Sequence, residues 1–318
     1  MPDTGAWRPD LGAAVPQPAL GRKAREGQTL EGDSLWVRYF NFVKLPHTLF
    51  ALPFALLGVV YASRISPLEL GDLLLVVIAF TAARFAAMGF NRIVDRRIDA
   101  LNPRTCNREL PSGRLSLRQA TVAVVVGCIL FVLAAGMLNR LCLWLSPVAL
   151  GWILLYSYTK WWTHWSHFWL GGSLAIAPVG GYLAVTGGWS DPWWVLLAIA
   201  AAVTVWVAGF DILYALQDES FDRAQGLKSM VVWLGAKKSI AVARTAHGLT
   251  VLLLVLFGLG ADFGVWYYAG VVAAAALLFW EHRLVRPEDL RRLDAAFFTI
   301  NGVLSVVVFL AALLDRIA

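Results

Sequence analysis

Apolar runs of roughly 18–25 residues recur from residue 44 to the end of the chain, and polar residues bunch between them rather than alternate within them. A helix rises 1.5 Å per residue, so each run is long enough to cross about 30 Å of hydrocarbon. The pattern predicts nine spans, at about residues 44–63, 70–91, 118–137, 141–158, 166–186, 192–215, 246–260, 264–281 and 297–315; the seventh is the shortest. Residues 1–43 carry Pro, Gly and charge but no apolar run, and read as a flexible tail without the h-region of a cleavable signal peptide. A transmembrane β-barrel would need short segments of alternating polarity, which runs that are apolar on every side exclude. The expected fold class is therefore an all-α polytopic membrane protein.

Composition sharpens this picture. Of the 318 residues, 59% are hydrophobic and 15% charged, against about 45–50% and about 25% in soluble domains. Cys106, Cys128 and Cys142 form an odd set without C-x-x-C spacing, which points to neither a disulfide framework nor a metal site. The basic balance, 27 Lys and Arg against 21 Asp and Glu, is read as loop charge that sets orientation, not as a nucleic-acid surface. With nine spans, the tail and the even-numbered loops hold almost all of these cations, while Arg64, Arg140 and Arg316 fall on the other side. The expectation is an N-terminus inside, a C-terminus outside, and the two longest loops, 2–3 and 6–7, together on the cytoplasmic face.

Those two loops begin alike, each where an apolar helix ends in a row of acids. In the first, Asn91, Asp95 and Asp99 recur at i, i+4 and i+8 and share one face of a continuing helix. In the second, Asp218 and Asp222 repeat the i, i+4 pair, with Asp211 and Tyr214 on the same stripe deeper in the helix. Like charges at this spacing repel by roughly 0.2–0.5 kcal/mol per pair, so two such pairs at one membrane face invite a counter-cation. Hard oxygen donors suit Mg²⁺, which is commonly held by one or two carboxylates together with substrate phosphates. Two acidic helix ends could then clamp a diphosphate between them.

The NxxxDxxxD element at residues 91–99, the runs ALNPRT at 100–105 and RELPSG at 108–113, and the YxxxDxxxD element at 214–222 resemble the UbiA superfamily of intramembrane prenyltransferases. The resemblance extends through YSYTK at 156–160 and GLKS at 226–229. It implies a nine-helix bundle holding a polyprenyl diphosphate and Mg²⁺ between the two motifs, with the prenyl tail in an apolar tunnel open to membrane lipid. It further implies that Asn91, Asp95, Asp99, Asp218 and Asp222 bind the metal–diphosphate group, and that Lys160 and Arg108 face the phosphates. Tyr214 and Lys228, inside the matching segments, are taken as further substrate-binding residues. A bacterial-type inner membrane is the implied location. One departure is that Arg92 stands where many relatives carry a second acid.

The implied chemistry is loss of diphosphate to give an allylic cation, shielded from water until an aromatic ring attacks. Asp211 and Arg84 lie seven residues before Asp218 and Asn91, roughly 10 Å deeper at helical rise. Buried charge at such depth needs a partner or a wet cavity. Either the two form an ion pair between helices, or Arg84 holds an anionic group and Asp211 accepts a proton from a phenolic acceptor. His47 reads as a boundary residue. His164 and His167, at i, i+3 without a nearby acid or Cys in sequence, give no zinc site. The run 91–113 looks most like 4-hydroxybenzoate polyprenyltransferases of ubiquinone synthesis; the Asn-Arg variant also occurs in relatives that prenylate 1,4-dihydroxy-6-naphthoate in the futalosine route to menaquinone. An ion-coupled secondary transporter is the rival from another class. A CDP-alcohol phosphotransferase is set aside because its D-x-x-D-G-x-x-A-R element is absent.

Overall fold

The computed structural model describes residues 30, 32, 34–44, 51–285 and 299–318. Among them are twelve α-helices and no strand: α1 (Leu35–Phe42), α2 (Leu52–Ala62), α3 (Leu70–Leu101), α4 (Leu117–Leu138), α5 (Arg140–Trp162), α6 (Ser166–Thr186), α7 (Trp194–Ala215), α8 (Glu219–Ala224), α9 (Met230–Leu234), α10 (Ala236–Gly260), α11 (Val265–Leu284) and α12 (Asn301–Ile317). Six of the described helical segments are long and apolar enough to cross a membrane. A described helix overlaps each predicted span, but a count of nine is not reached among the described residues: α2 has 11 residues and α12 has 17. The seventh predicted span is longer than expected. Helix α10 starts at Ala236 because Lys237, Lys238 and Arg244 are polar yet good helix formers. His47 and most of the predicted tail lie outside the described residues. Of the tail's end, α1 is capped by Ser34 and buries Phe42 against Leu115 and Ala120.

Helix α3 runs 32 residues, about 48 Å at helical rise, well beyond the hydrocarbon thickness. Its last turns therefore carry Asp95 and Asp99 past the apolar zone while keeping them on one face. Ser116 and Gln119 form a capping box that starts α4. Asn139 ends α4, caps α5 through Cys142 N, and donates to the carbonyls of Leu183 and Ala184 on α6.

The helices close a ring in which α2 packs on α6, α6 on α7, α7 on α10, α10 on α11, α11 on α12 and α12 again on α2; α3, α4 and α5 attach beside α6. Of the six long apolar segments, the one containing α7 is the most enclosed, with Val195, Leu196, Ile199, Val207 and Ile212 wholly buried. Outward-facing Leu133, Met137, Val148, Val272 and Phe279 leave an apolar exterior, the surface a lipid solvent requires. This is an integral membrane protein.

Lipid gives helices no hydrophobic reason to associate, so close backbone approach matters more than side-chain bulk. A Cβ added at Gly171 would sit 2.1 Å from the Thr204 carbonyl oxygen of α7, and one added at Gly181 would sit 2.2 Å from that of Ala55 on α2. The neighbouring Gly180 has open space around it. We expect Gly171→Ala to lower the thermal stability of detergent-solubilised protein by the equivalent of about 1–3 kcal/mol or more. Gly180→Ala should leave it unchanged or raise it slightly. Equal melting of the two variants would contradict this packing.

Candidate active site

The ends of α3, α5 and α7, the start of α6 and the segments after α3 and α8 enclose a cavity of about 220 Å³. The structure brings into its lining Asn91, Asp95, Asp99, Arg108, Lys160, Asp211, Tyr214, Asp218, Asp222 and Lys228, every predicted site residue except Arg84. Two devices assemble it. Asp95 and Asp99 reach it because α3 continues unbroken beyond Asn91. On the other side a 3-10 turn, Leu216–Asp218, interrupts the helix before α8. Gly226, at φ +68°, then turns the chain so that Lys228 N donates to the Lys160 carbonyl at 2.7 Å.

Three carboxylates are held by three cations. Lys160 Nζ lies 2.5 Å from Asp95 Oδ2. Arg108 Nη1 donates to both oxygens of Asp99, at 2.8 and 2.9 Å. Arg104 forks onto Asp218 through Nε at 3.1 Å and Nη2 at 2.5 Å, while its Nη1 donates to Tyr214 OH at 3.0 Å. Asn102 Nδ2 donates to the same Asp218 oxygen at 3.2 Å. Asp95 and Asp99 are each 5% exposed, and buried acids so close together require such compensation. The Arg104–Asp218 fork also ties the segment that follows the first acidic element to the second, across 114 positions of sequence.

Asp211 departs from expectation. Its Oδ2 is 2.6 Å from His167 Nδ1, and His167 Nε2 accepts from Met230 N–H at 3.3 Å. An amide can only donate, so Nε2 is unprotonated, the proton sits on Nδ1, and His167 is a neutral donor to Asp211. The predicted alternative of an Arg84–Asp211 ion pair is thus overturned. Arg84 makes no ion pair among the described residues, and its Nε is buried without a hydrogen-bond partner. His167 has no acid near it in sequence; Asp211 is 44 positions away, and only the α6–α7 packing joins them.

Sequence reasoning also passed over Arg104, Asn102 and Tyr156, which line the same cavity. Arg104 sits in the conspicuous 100–105 segment, but nothing local marks its partner. Tyr156, one turn before Lys160 on α5, had a usable signal in that spacing.

Among the described residues no three His, Cys, Asp or Glu side chains are grouped closely enough to hold a metal by themselves. The reason is visible: three of the carboxylates are turned onto cations. The donor set still fits Mg²⁺ in its usual partnership with phosphates. It is made of hard oxygens, and Asp95 Oδ1 is buried with no hydrogen-bond partner.

The profile of the UbiA prenyltransferase family matches residues 51–303. The chain belongs to that family. This UbiA-family chain is 31% identical over 249 residues to a 4-hydroxybenzoate octaprenyltransferase of Alkalilimnicola ehrlichii, covering 78% of this chain and 83% of the relative. Its fold matches the apo structure of a UbiA homolog from Aeropyrum pernix K1 with a TM-score of 0.78 and 31% identity, over 85% of this chain and 98% of that one. It also matches a UbiA homolog from Archaeoglobus fulgidus bound to GPP and Mg²⁺, with a TM-score of 0.68 and 19% identity over 88% and 100% of the two chains. The protein is a prenyltransferase, and the transporter alternative falls.

The His167 contact carries a prediction. His167→Ala would leave a half-buried carboxylate oxygen and the buried Met230 amide without partners, at up to about 1–3 kcal/mol per group. We expect a clear loss of thermal stability in substrate-free protein, with Gln at the same position restoring much of it. A His167→Ala protein as stable as the parent would show that the contact does not form.

Proposed function

We propose that this UbiA-family protein transfers a polyprenyl group from its diphosphate to the ring of an aromatic acid, 4-hydroxybenzoate, in a Mg²⁺-dependent step of quinone biosynthesis. The observation that carries the reading is the cavity in which three carboxylates and three cations already stand paired. Such a set can exchange partners: diphosphate oxygens take Lys160, Arg108 and Arg104, and the released carboxylates of Asp95, Asp99 and Asp218, together with Asp222 and Asn91, become available to Mg²⁺. Curated relatives named 4-hydroxybenzoate octaprenyltransferase support the donor and acceptor, and a protein of the same fold bound to GPP and Mg²⁺ supports the diphosphate and metal. The side of the membrane is likewise proposed: the cation count puts the site on the cytoplasmic face of a bacterial-type inner membrane.

When bound, Mg²⁺ would neutralise negative charge on the leaving diphosphate. The rest falls to the chain itself. Lys160, Arg108 and Arg104 stabilise the diphosphate oxygens as the allylic C–O bond breaks and its electron pair leaves with the diphosphate. Tyr156 and Tyr214 present aromatic surface to the cavity, and the enclosing helices keep water from the cation. A ring carbon of the acceptor, activated by the phenolic oxygen, then supplies the electron pair for the new C–C bond. Asp211, held by His167 through one oxygen, takes the proton that the acceptor loses.

The test is an assay of purified protein with Mg²⁺, one polyprenyl diphosphate and a panel of aromatic acids, with products identified by mass. The panel includes 1,4-dihydroxy-6-naphthoate, because Arg92 stands, almost fully buried, where many relatives carry an acid. We expect a prenylated 4-hydroxybenzoate, and a loss of about 10²-fold or more for Asp95→Ala and Asp218→Ala in proteins that stay folded. No product with any acid, or full activity in both variants, would overturn the reading.

A further inference from the structure

A second cavity lies between α10 and α11, about 510 Å³ in volume, and shares no lining residue with the active site. These helices are consecutive and antiparallel, so Arg244 on α10 and His282 and Arg283 on α11 meet at one end of the groove, the end nearer the active site. Val251 and Ala275 line the other end, roughly 10 Å deeper at helical rise, with Leu278 between. The groove is therefore basic at its mouth and apolar along its length, and Phe279 beside it is 63% exposed toward the lipid side.

Among the described residues no Asp or Glu lines the groove, and neither arginine has a carboxylate partner. The Arg283 guanidinium lies 4.9 Å over the Phe279 ring, which holds it at the groove. Glu281 sits behind the histidines: Oε1 accepts from Asn301 Nδ2 at 2.7 Å and Oε2 lies 3.5 Å from His247 Nδ1, so it partners neither arginine. Basic residues in the last turn of α11 complement that helix's dipole, but Arg244 lies well inside α10 and has no such explanation. A further polar atom is unmatched. His282 Nε2 is 3.0 Å from His247 Nδ1, and His282 Nδ1 is buried with no hydrogen-bond partner.

We propose that this groove binds one anionic phospholipid, its phosphate between Arg244 and Arg283 and an acyl chain laid along Val251 and Leu278. Guanidinium pairs suit phosphate oxygens, and basic pockets between transmembrane helices take anionic head groups. Two arginines that pair with no carboxylate among the described residues favour an anionic lipid over a zwitterionic one, whose cationic group they would repel. Gly248, with open space around its Cα, leaves room for the chain.

The test reads lipid retained by the full-length protein in nanodiscs and by native mass spectrometry, comparing phosphatidylglycerol with phosphatidylcholine. The parent should prefer the anionic lipid by about tenfold or more. An Arg244→Gln, Arg283→Gln double variant should bring the two lipids near parity, and Gly248→Leu, which fills the groove, should release both. The exposed pair Lys237→Gln, Lys238→Gln should leave the preference intact, which separates this groove from general surface charge. Melting curves confirm that each variant is folded. An unchanged preference in the arginine variant, an equal loss in the lysine variant, or displacement by inorganic phosphate at the concentration at which the lipid binds would overturn the proposal.

Discussion

Carboxylates gathered at the membrane end of a helix bundle must be neutralised wherever they stand, and in this protein that constraint organises the site. Asp95, Asp99 and Asp218 come from two helices far apart in sequence, and each meets a separate cation. The attraction offsets the cost of withdrawing the charges from water only while both partners remain. Two of the cations, Arg104 and Arg108, come from the segment directly after α3, and the third comes from α5. The pairs thus tie the two halves of the bundle together and keep cations beside the acids, where a polyanionic substrate can claim them.

The fold serves that arrangement by being stiff where the site needs support. Gly171 and Gly181 let α6 approach α7 and α2 to backbone contact, which sets His167 against Asp211 in the wall of the cavity. The same imidazole accepts from Met230, so one side chain links α6, α7 and the segment that carries Lys228. The pairing of Asp211 with His167 leaves one carboxylate oxygen fixed and the other available to the cavity.

Much of this was legible in the chain because it is written in local periodicity. Asn91, Asp95 and Asp99, at i, i+4 and i+8 of α3, define one face regardless of what packs on it, and apolar runs bounded by polar clusters mark the membrane helices. The partners of the second element's acids were not legible. Arg104 with Asp218 and His167 with Asp211 are pairings across 114 and 44 positions, and only helix packing sets them. Arg84 illustrates the converse error. Matching depth on two helices was read as proximity, but the two side chains do not meet.

The central claim is that paired charges, before any substrate arrives, tie the segment that follows the first acidic element to the second. A double-mutant cycle on Arg104 and Asp218, read as unfolding free energy of substrate-free protein in detergent, tests it most directly. Arg104→Met and Asp218→Leu should each destabilise the protein, and the double variant should recover stability relative to the sum of the two by about 1 kcal/mol or more. Strictly additive losses would mean that the two side chains do not act as a pair, and the account of the site would fail.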